Sequence, residues 1–342
     1  MATRDIIVIG ASAGGLDAVS RILRGLPERL PASIFIVIHT SPEGPGLLSG
    51  ILNGLSTLPV TMAQSRERIV RGQIYVAPPD FHMVLARGHV YINKGPREHR
   101  FRPAIDPLFR SAAQYYGPRV IGIILSGYLG DGAHGLLAIK RRGGVAIVQD
   151  PKEAMIPVMP RNALDRVNVD YVLPADQMSA TLAELTMVPV DDKSSGPASE
   201  APSPEKPGED ALETGALAGP PSPLTCPECG GTLWELQSDK LVRYRCHVGH
   251  GFTEDSLLAS QNGKLEETLW SALRALEESL ELRRRMVERG RRRNLRAIVT
   301  SLEKEIGDLE KRADGLRELL LEVPKLRRQP KASRSRRRPK KT

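Results

Sequence analysis

A serine near the start of the chain stands in a glycine-rich segment that could make it a nucleophile. The apolar run Ile6–Ile9 is followed directly by Gly10–Gly15, with the sequence GASAGG. A dinucleotide fingerprint needs glycine where Ser12 stands, and a phosphate-binding P-loop needs a Gly-Lys-Ser/Thr ending that is absent here. The remaining Gly-x-Ser-x-Gly pattern is typical of a serine on a sharp strand-to-helix turn, where helix amides face the hydroxyl. A serine that only caps a helix in a glycine turn is the alternative.

A serine hydroxyl needs a base and an orienting acid, and the sequence offers one of each after other apolar runs. His39 follows the run Ile34–Ile38, and Asp131 lies among glycines after the run Val120–Leu125. Because the carboxyl ends of parallel strands share one edge of a sheet, Ser12, His39 and Asp131 are expected to meet there. An exposed strand-end histidine and an ordinary Asp-Gly turn are the simpler explanations of each residue alone.

The elements that must position these side chains alternate between strands and helices. Continuous apolar runs rich in β-branched residues predict strands that are buried on both faces. These runs are Ile6–Ile9, Ile34–Ile38, Val120–Leu125 and Val145–Val148. Apolar residues at helical spacing predict helices over Leu16–Leu30, Pro107–Tyr116 and Gly135–Arg142. The segment Gln73–Asn93 predicts a hairpin-bearing insertion or a sheet extension. The expected fold class is α/β, with a doubly wound, mostly parallel sheet.

Five segments carry a resemblance to a known family. They are Ile9–Gly15, Ala77–Met83, Arg102–Ala113, Ser126–Gly132 and Met159–Ala163. Residues 5–189 as a whole resemble the catalytic domain of the chemotaxis protein-glutamate methylesterases, the CheB family, in its stand-alone form without a receiver domain. The resemblance implies a serine-type carboxylic ester hydrolase with the triad Ser12, His39 and Asp131, and no cofactor for catalysis. It also implies methylated chemoreceptors, or a similar signalling protein, as substrate and partner, with glutamine deamidation as a further activity. Backbone amides near Ala13 or Leu129 would bind the oxyanion.

Some positions depart from the family's usual sequence. Ala13 replaces a common threonine, Ile38-His39-Thr40 replaces a Gln-His-Met, and Leu129 replaces the methionine of a Gly-Met-Gly loop. Because the oxyanion donors are backbone groups, these changes bear on rate and substrate preference rather than on turnover itself. The chain begins just before the first predicted strand, so control by a phosphorylated receiver domain in cis is not expected.

The three cysteines lie within 21 residues of one another, which predicts a metal site. An odd number of cysteines cannot pair completely in disulfides. Cys226-x2-Cys229 and Cys246-x3-His250 place three thiols and one imidazole at spacings that favour structural, tetrahedral Zn²⁺. We prefer His250 to His247 as the fourth ligand, because His247 adjoins Cys246 and would need a cramped geometry. A ribbon that has kept only part of its metal site is the alternative.

Two long helices are predicted after the cysteines, over Leu257–Arg289 and Asn294–Leu321, with Gly290 as the stop between them. Apolar residues of the second helix step by 4, 3, 4, 3 and 4, which is a heptad seam. The seam residues are Leu302, Ile306, Leu309, Ala313, Leu316 and Leu320. Two amphipathic helices packed on each other fit this pattern better than a dimerising coiled coil, so a homodimer through these helices is the alternative.

The predicted organisation has five segments. They are a catalytic domain (1–189), a disordered Pro/Ser/Gly-rich linker (190–224), a zinc-ribbon-like module (225–255), a helical hairpin or coiled coil (256–323) and a basic disordered tail (324–342). No apolar run approaches the roughly 18 residues of a membrane span, and no secretory signal is present, so a cytoplasmic location is expected.

The positive charge of the chain is concentrated in its tail. The net charge is +9, and residues 327–341 contain nine Lys/Arg and no acid, which leaves a formally neutral body. A basic nucleic-acid-binding face on the folded part is therefore not supported. The tail could attract an acidic partner, although a solvated tail without a dedicated partner is the simpler interpretation. The main alternative to the esterase is a chemosensory adaptor that has lost catalysis and binds partners through the ribbon and helices.

Overall fold

The computed structural model describes residues 2–86, 88–191, 221–238 and 241–326, without the side chains of 238, 241 and 322–326. The chain divides into two compact units, Met1–Leu257 and Leu258–Thr342. Most of the predicted linker and nearly all of the predicted basic tail lie outside the described residues. The linker's last residues are an exception, because Pro221–Thr225 is a strand.

A seven-stranded parallel sheet forms the centre of the first unit. The strands up to residue 190 are β1 Ala2–Thr3, β2 Ile6–Ala11, β3 Ser33–Ile38, β4 Val60–Met62, β5 Glu67–Arg68, β6 Ile74–Val76, β7 His82–Ala86, β8 His89–Asn93, β9 Val120–Ile124, β10 Val145–Gln149, β11 Tyr171–Leu173 and β12 Pro189–Val190. The helices are α1 Gly15–Arg24, α2 Leu48–Asn53, α3 Ile105–Tyr116, α4 Ala133–Arg141, α5 Val158–Arg166 and α6 Ala175–Met187, and Gly117–Arg119 is a 3-10 turn. The strands of the parallel sheet lie in the order β11-β10-β9-β2-β3-β6-β4. The predicted α/β class with a parallel, doubly wound sheet is confirmed.

Helices cover both faces of the sheet, which explains why its strands are continuously apolar. Ile7 and Ile9 of β2 pack in one core with residues of α1 and α6. Val8, between them, points to the opposite face and packs in a second core with residues of α3, α4 and α5. Since successive side chains of a strand face opposite sides, a strand buried on both faces has no polar positions.

One predicted helix is shorter in the structure, and the segment Gln73–Asn93 takes both of the forms that the sequence allows. Helix α1 ends at Arg24 rather than at Leu30, because Gly25 forms its C-terminal cap and Pro27 follows, although Leu30 is still buried in the core. The segment 73–93 is divided between two sheets. Its first strand, β6, joins the parallel sheet, whereas β7 and β8 form a hairpin that makes a separate antiparallel sheet with β5.

Residues 221–238 and 241–253 form a four-stranded antiparallel sheet that belongs to the first unit. Its strands are β13 Pro221–Thr225, β14 Thr232–Ser238, β15 Leu241–Cys246 and β16 Gly251–Thr253. A small core of Leu233, Phe252 and Leu257 packs beside Cys226 and Cys246. We refer to residues 221–257, these strands and the first turn of the following helix, as the ribbon.

The second unit contains α7 Glu254–Arg292 from Leu258 onward and α8 Arg296–Leu326, two long antiparallel helices. All six predicted seam residues of α8 belong to the apolar clusters that join the helices. The prediction that Gly290 stops the first helix is wrong, because α7 runs through it to Arg292. The turn lies at 293–295, where Asn294 takes the left-handed conformation with φ 56°. Among the described residues, we find no helix with the length and apolar character needed to cross a bilayer.

Candidate active site

Ser12 lies on the turn that joins β2 to α1. Its amide donates to the Ser126 carbonyl at 2.9 Å, which ties the turn to the loop after β9. Gly14 has φ 76°, and a Cβ there would lie 2.7 Å from the Met155 Cβ and 2.8 Å from the Ser126 Oγ. Both the backbone conformation and the close packing therefore require glycine at this position.

The structure brings Ser12, His39 and Asp131 together at the carboxyl edge of the sheet. Strand β2 lies between β3 and β9, so the three residues follow three adjacent strands. The His39 Nδ1 lies 3.2 Å from the Ser12 Oγ, and the His39 Nε2 lies 2.8 Å from the Asp131 Oδ2. The side chains of His39 and Asp131 are 2% and 0% exposed, so the contact between them is shielded from water.

The two contacts of His39 determine which of its nitrogens can act as a base. Asp131 accepts a hydrogen bond, which requires the proton of a neutral imidazole to be on Nε2. The Nδ1 atom is then an acceptor and faces the Ser12 hydroxyl. This tautomer allows His39 to take the Ser12 proton and leaves Asp131 to stabilise the resulting imidazolium.

Asp131 is held by the beginning of α3. Its Oδ2 accepts from the Ile105 amide at 2.7 Å, and its Oδ1 accepts from the Asp106 amide at 3.1 Å. The first amides of a helix have no partner within the helix, so a carboxylate from another loop can cap them. The His39 Nε2 and the two amides each need an acceptor oxygen. The two oxygens of the Asp131 carboxylate accept from all three donors.

A cleft of about 410 Å³ opens over Ser12 and His39. One of its walls is formed by residues 96–102, which we call the strap. The strap residues that line the cleft are Arg97, Arg100, Phe101 and Arg102. The Phe101 ring stacks on the His39 imidazole, with the ring centroids 3.7 Å apart and the planes within 10°. The strap therefore covers one face of the His39 imidazole with the Phe101 ring, and its arginines give the cleft positive charge.

Arg102 is the strap arginine with the most extensive contacts. Its guanidinium donates to the Asp80 carboxylate at 2.7 and 3.0 Å and to the Gly95 carbonyl at 2.9 Å. These hydrogen bonds from Arg102 hold the pKa of Asp80 below its usual value. Arg102 thus stiffens the strap and adds positive charge to the cleft.

The two predicted oxyanion donors lie in different places. Ala13 follows Ser12 directly and lines the cleft. Leu129 lies in the loop between β9 and α4 with φ 65°, and its carbonyl accepts from the Asn162 side chain at 2.8 Å. Among the residues that the structure describes, Leu129 is not part of the cleft lining, and its amide remains a predicted donor.

The sequence profile of the family described as CheB methylesterase matches residues 7–182. The chain belongs to the CheB methylesterase family. A relative from Leptospira interrogans is 40% identical over 182 residues, which are 53% of this chain and 94% of that relative. One from Pyrococcus abyssi, named protein-glutamate methylesterase/protein-glutamine glutaminase, is 38% identical over 52% of this chain and 50% of its own length. The crystal structure of the Thermotoga maritima CheB methylesterase catalytic domain superposes with a TM-score of 0.51 at 34% identity, over 53% of this chain and 98% of that one.

These matches confirm the family resemblance and locate it within the chain. The chain spans nearly all of the Leptospira relative but only about half of the Pyrococcus relative. The ribbon and the two long helices lie outside residues 7–182, the part that matches the CheB methylesterase profile.

The ribbon brings together the four residues that the sequence predicts as zinc ligands. Ligand atoms of Cys226, Cys229, Cys246 and His250 all lie within 4.8 Å of one another. The Cys229 and Cys246 sulfurs are 3.7 Å apart, and the His250 Nδ1 lies 3.7 and 3.5 Å from the Cys226 and Cys246 sulfurs. A tetrahedral zinc with ordinary bond lengths would separate two sulfurs by about 3.8 Å and a sulfur from a nitrogen by about 3.5 Å. The residues present therefore fit zinc.

Sequence reasoning missed the residues that support the triad from the side of the strap. Phe101 and the amides of Ile105 and Asp106 contact His39 or Asp131 directly. The family motif Arg102–Ala113 includes the two amides, but backbone donors leave no signal in residue types. Nothing local in the sequence indicates that Phe101 stacks on a histidine 62 positions away.

Proposed function

We propose that this chain is a protein-glutamate methylesterase that hydrolyses glutamyl methyl esters on chemoreceptors or on a similarly modified signalling protein. The observation that carries the proposal is the contact of Ser12 with His39 and of His39 with Asp131, at the ends of three adjacent strands and at the floor of an open cleft. The names of the relatives support the same reaction, and the second part of those names supports deamidation of glutamine at the same site.

The reaction follows from the positions of these atoms. The His39 Nδ1 takes the Ser12 proton while the Ser12 Oγ attacks the ester carbonyl. Collapse of the tetrahedral intermediate transfers that proton to the leaving methoxide, which departs as methanol, and leaves an acyl-enzyme. Water then attacks the acyl-enzyme with His39 as base, so that glutamate and free Ser12 are regenerated. Backbone amides such as that of Ala13 would stabilise the oxyanion, by about 3 kcal/mol for each donor.

The positive charge of the cleft also favours an acidic protein segment as substrate. Three of the strap residues that line it are arginines, so a receptor segment with carboxylates beside the ester would be attracted to it. We place the reaction in the cytoplasm, on the cytoplasmic side of the receptor.

The test is release of tritiated methanol from chemoreceptor membranes whose glutamates carry tritiated methyl esters. The purified full chain should release volatile tritium in proportion to enzyme and time, well above the rate in buffer. Release at the buffer rate from every receptor preparation would overturn the proposed substrate. Ammonia released from unmodified receptors measures the deamidase activity separately.

We further propose that Cys226, Cys229, Cys246 and His250 hold a structural Zn²⁺, which would cross-link the ends of the ribbon strands. The purified protein is expected to carry one zinc per chain, and Cys226→Ser should lose it, because a hydroxyl is a poor replacement for a thiolate ligand. Metal analysis by plasma mass spectrometry measures the zinc content. His247→Ala is the matched control and should keep its zinc, since His247 is exposed and outside the cluster. Stoichiometric zinc in Cys226→Ser would contradict the site.

A further inference from the structure

The backbone of the ribbon forms hydrogen bonds with the backbone of the strap. The His99 amide donates to the Gly251 carbonyl at 2.8 Å, and the Gly251 amide donates to the Arg97 carbonyl at 3.4 Å. Within the strap, His99 and Arg100 both take left-handed conformations, with φ 52° and 76°. Such conformations are costly for residues other than glycine and persist only where surrounding contacts hold them. Strand β16 of the ribbon supplies such contacts.

A buried charge cluster joins the ribbon to α3 through the strap. The Glu98 carboxylate accepts from Arg110 of α3 at 2.7 and 2.9 Å and from Arg243 of β15 at 3.2 Å. Burial alone would raise the pKa of Glu98, but the charges of these arginines hold it well below the ordinary value. A buried carboxylate paired with two arginines fixes the position of the strap between α3 and the ribbon, because separating the partners would leave uncompensated charge.

His99 connects the ribbon to the catalytic carboxylate. Its Nδ1 lies 3.2 Å from the Ser256 Oγ in the first turn of α7, and its Nε2 lies 3.0 Å from the Asp106 Oδ2. The same Nε2 is 3.7 Å from the Asp131 Oδ1. The side chains of His99, Asp106 and Asp131 are completely buried. A chain of contacts therefore runs from Ser256 through His99 to Asp131 and on to His39.

The surroundings of His99 favour its protonated form. Burial lowers the pKa of His99, but the charges of Asp131 and Asp106 and the hydrogen bond to Asp106 outweigh it, so the pKa is raised. As an imidazolium, His99 donates to both the Ser256 hydroxyl and the Asp106 carboxylate. The other charged or titratable groups around this cluster are Glu98, Arg110, Arg243 and His134.

A metal at this cluster is a weaker explanation. Ligand atoms of Glu98, His99 and Asp106 lie within 4.8 Å of one another. However, the guanidinium groups of Arg110 and Arg243 already pair with Glu98 and would repel a cation. The cluster is satisfied by groups of the protein itself.

We propose that the ribbon completes the active site of this methylesterase, and that His99 and Ser256 are positioning residues that orient Asp131 and hold the strap against His39. This inference rests on the proposed function. It assigns a role in catalysis to residues beyond 182, outside the part of the chain that matches the family profile.

The test is the rate at which a fluorophosphonate probe labels Ser12 in the full-length protein, followed by mass spectrometry. Labelling needs the triad but no receptor, so its outcome is independent of the identity of the substrate. Ser256→Ala is expected to lower the labelling rate by about fivefold and His99→Gln by about tenfold or more, within the roughly 100-fold range that small misplacements of catalytic groups produce. With methylated receptor, the loss should appear in kcat rather than in KM, since neither residue lines the cleft.

The pH profile separates a positioning role from a merely structural one. Removing the positive charge of His99 leaves more negative charge beside the His39 imidazolium, so the acid limb of the labelling rate should move upward by about one pH unit in His99→Gln. Ser256→Ala keeps the imidazole, so its acid limb should move less than that of His99→Gln.

Ser271→Ala is the matched serine-to-alanine control on α7. The Ser271 hydroxyl is exposed and donates to the Glu267 carbonyl of the same helix at 3.0 Å, so this variant removes a serine hydroxyl from α7 without changing the group that faces His99. It should label at nearly the wild-type rate. Zinc content and melting temperature identify any variant that has not folded. Equal rates and equal pH profiles in folded wild type, Ser256→Ala and His99→Gln would overturn the positioning role, whether or not receptor esters are hydrolysed.

Discussion

Replacing Ser12 with alanine is expected to stop methanol release, with a fall in kcat of about 10⁴-fold or more, since loss of a serine nucleophile removes the covalent route altogether. The Ser12 Oγ is the group that His39 faces at 3.2 Å, and alanine leaves no atom there that could attack an ester. The measurement is volatile tritium from methylated receptor, together with fluorophosphonate labelling, which should also disappear.

Ser65→Ala is a suitable control because Ser65 is exposed, far from Ser12 in the sequence, and its hydroxyl forms hydrogen bonds with the backbone of the neighbouring strand β8. It should match the wild-type rate. Folding of Ser12→Ala should be unimpaired, since its backbone contacts with Ser126 and Gly15 do not involve the side chain. Methanol release at the buffer rate by both wild type and Ser12→Ala would instead favour an adaptor in which the hydrolase-like domain binds partners without catalysis.

The order of the sheet explains why the central part of the site could be predicted from the sequence. Ser12, His39 and Asp131 each follow a continuous apolar run, and such runs indicate strands buried in a parallel sheet. Once the strands are parallel, topology alone places their following loops at one edge. The structure adds that β2 is the middle strand of the three, which makes the distances short enough for hydrogen bonds.

The contact between strap and ribbon could not be predicted in this way. His99 and Ser256 are 157 residues apart, and neither belongs to a periodic pattern that indicates its neighbour. The left-handed conformations of His99 and Arg100 occur at residues that give no turn signal. The turn between the two long helices is also hard to place from the sequence. It contains Asn294, whereas the glycine at 290 is the residue type that more strongly predicts a turn. Non-local packing decides the contact of His99 with Ser256 and the conformations of His99 and Arg100.

Replacing Asp131 with asparagine should lower kcat by about 10⁴-fold, the effect expected when the catalytic histidine is left in the wrong tautomer. Asp131 accepts from the His39 Nε2 and the Ile105 amide on Oδ2 and from the Asp106 amide on Oδ1. An asparagine has only one oxygen for these two positions. With its oxygen at Oδ2, its NH₂ faces the Asp106 amide, donor against donor.

With the oxygen at Oδ1 instead, the NH₂ of asparagine faces both the Ile105 amide and the His39 Nε2. The imidazole would then accept at Nε2 and carry its proton on Nδ1, so it could no longer take a proton from Ser12. Either orientation leaves a donor without an acceptor in a site where Asp131 is fully buried, so asparagine also costs about 1–3 kcal/mol of stability for each unsatisfied donor.

Methanol release measures the loss of activity in Asp131→Asn, and the melting temperature measures its loss of stability. Asp17→Asn, at an exposed position on α1, is the control for the change of charge and should retain both activity and stability. A folded Asp131→Asn protein with activity within tenfold of wild type would show that His39 keeps its tautomer without the carboxylate. In that case Asp131 would serve only to cap the two amides at the start of α3, and the orientation of the catalytic base would have to come from the stacked ring of Phe101.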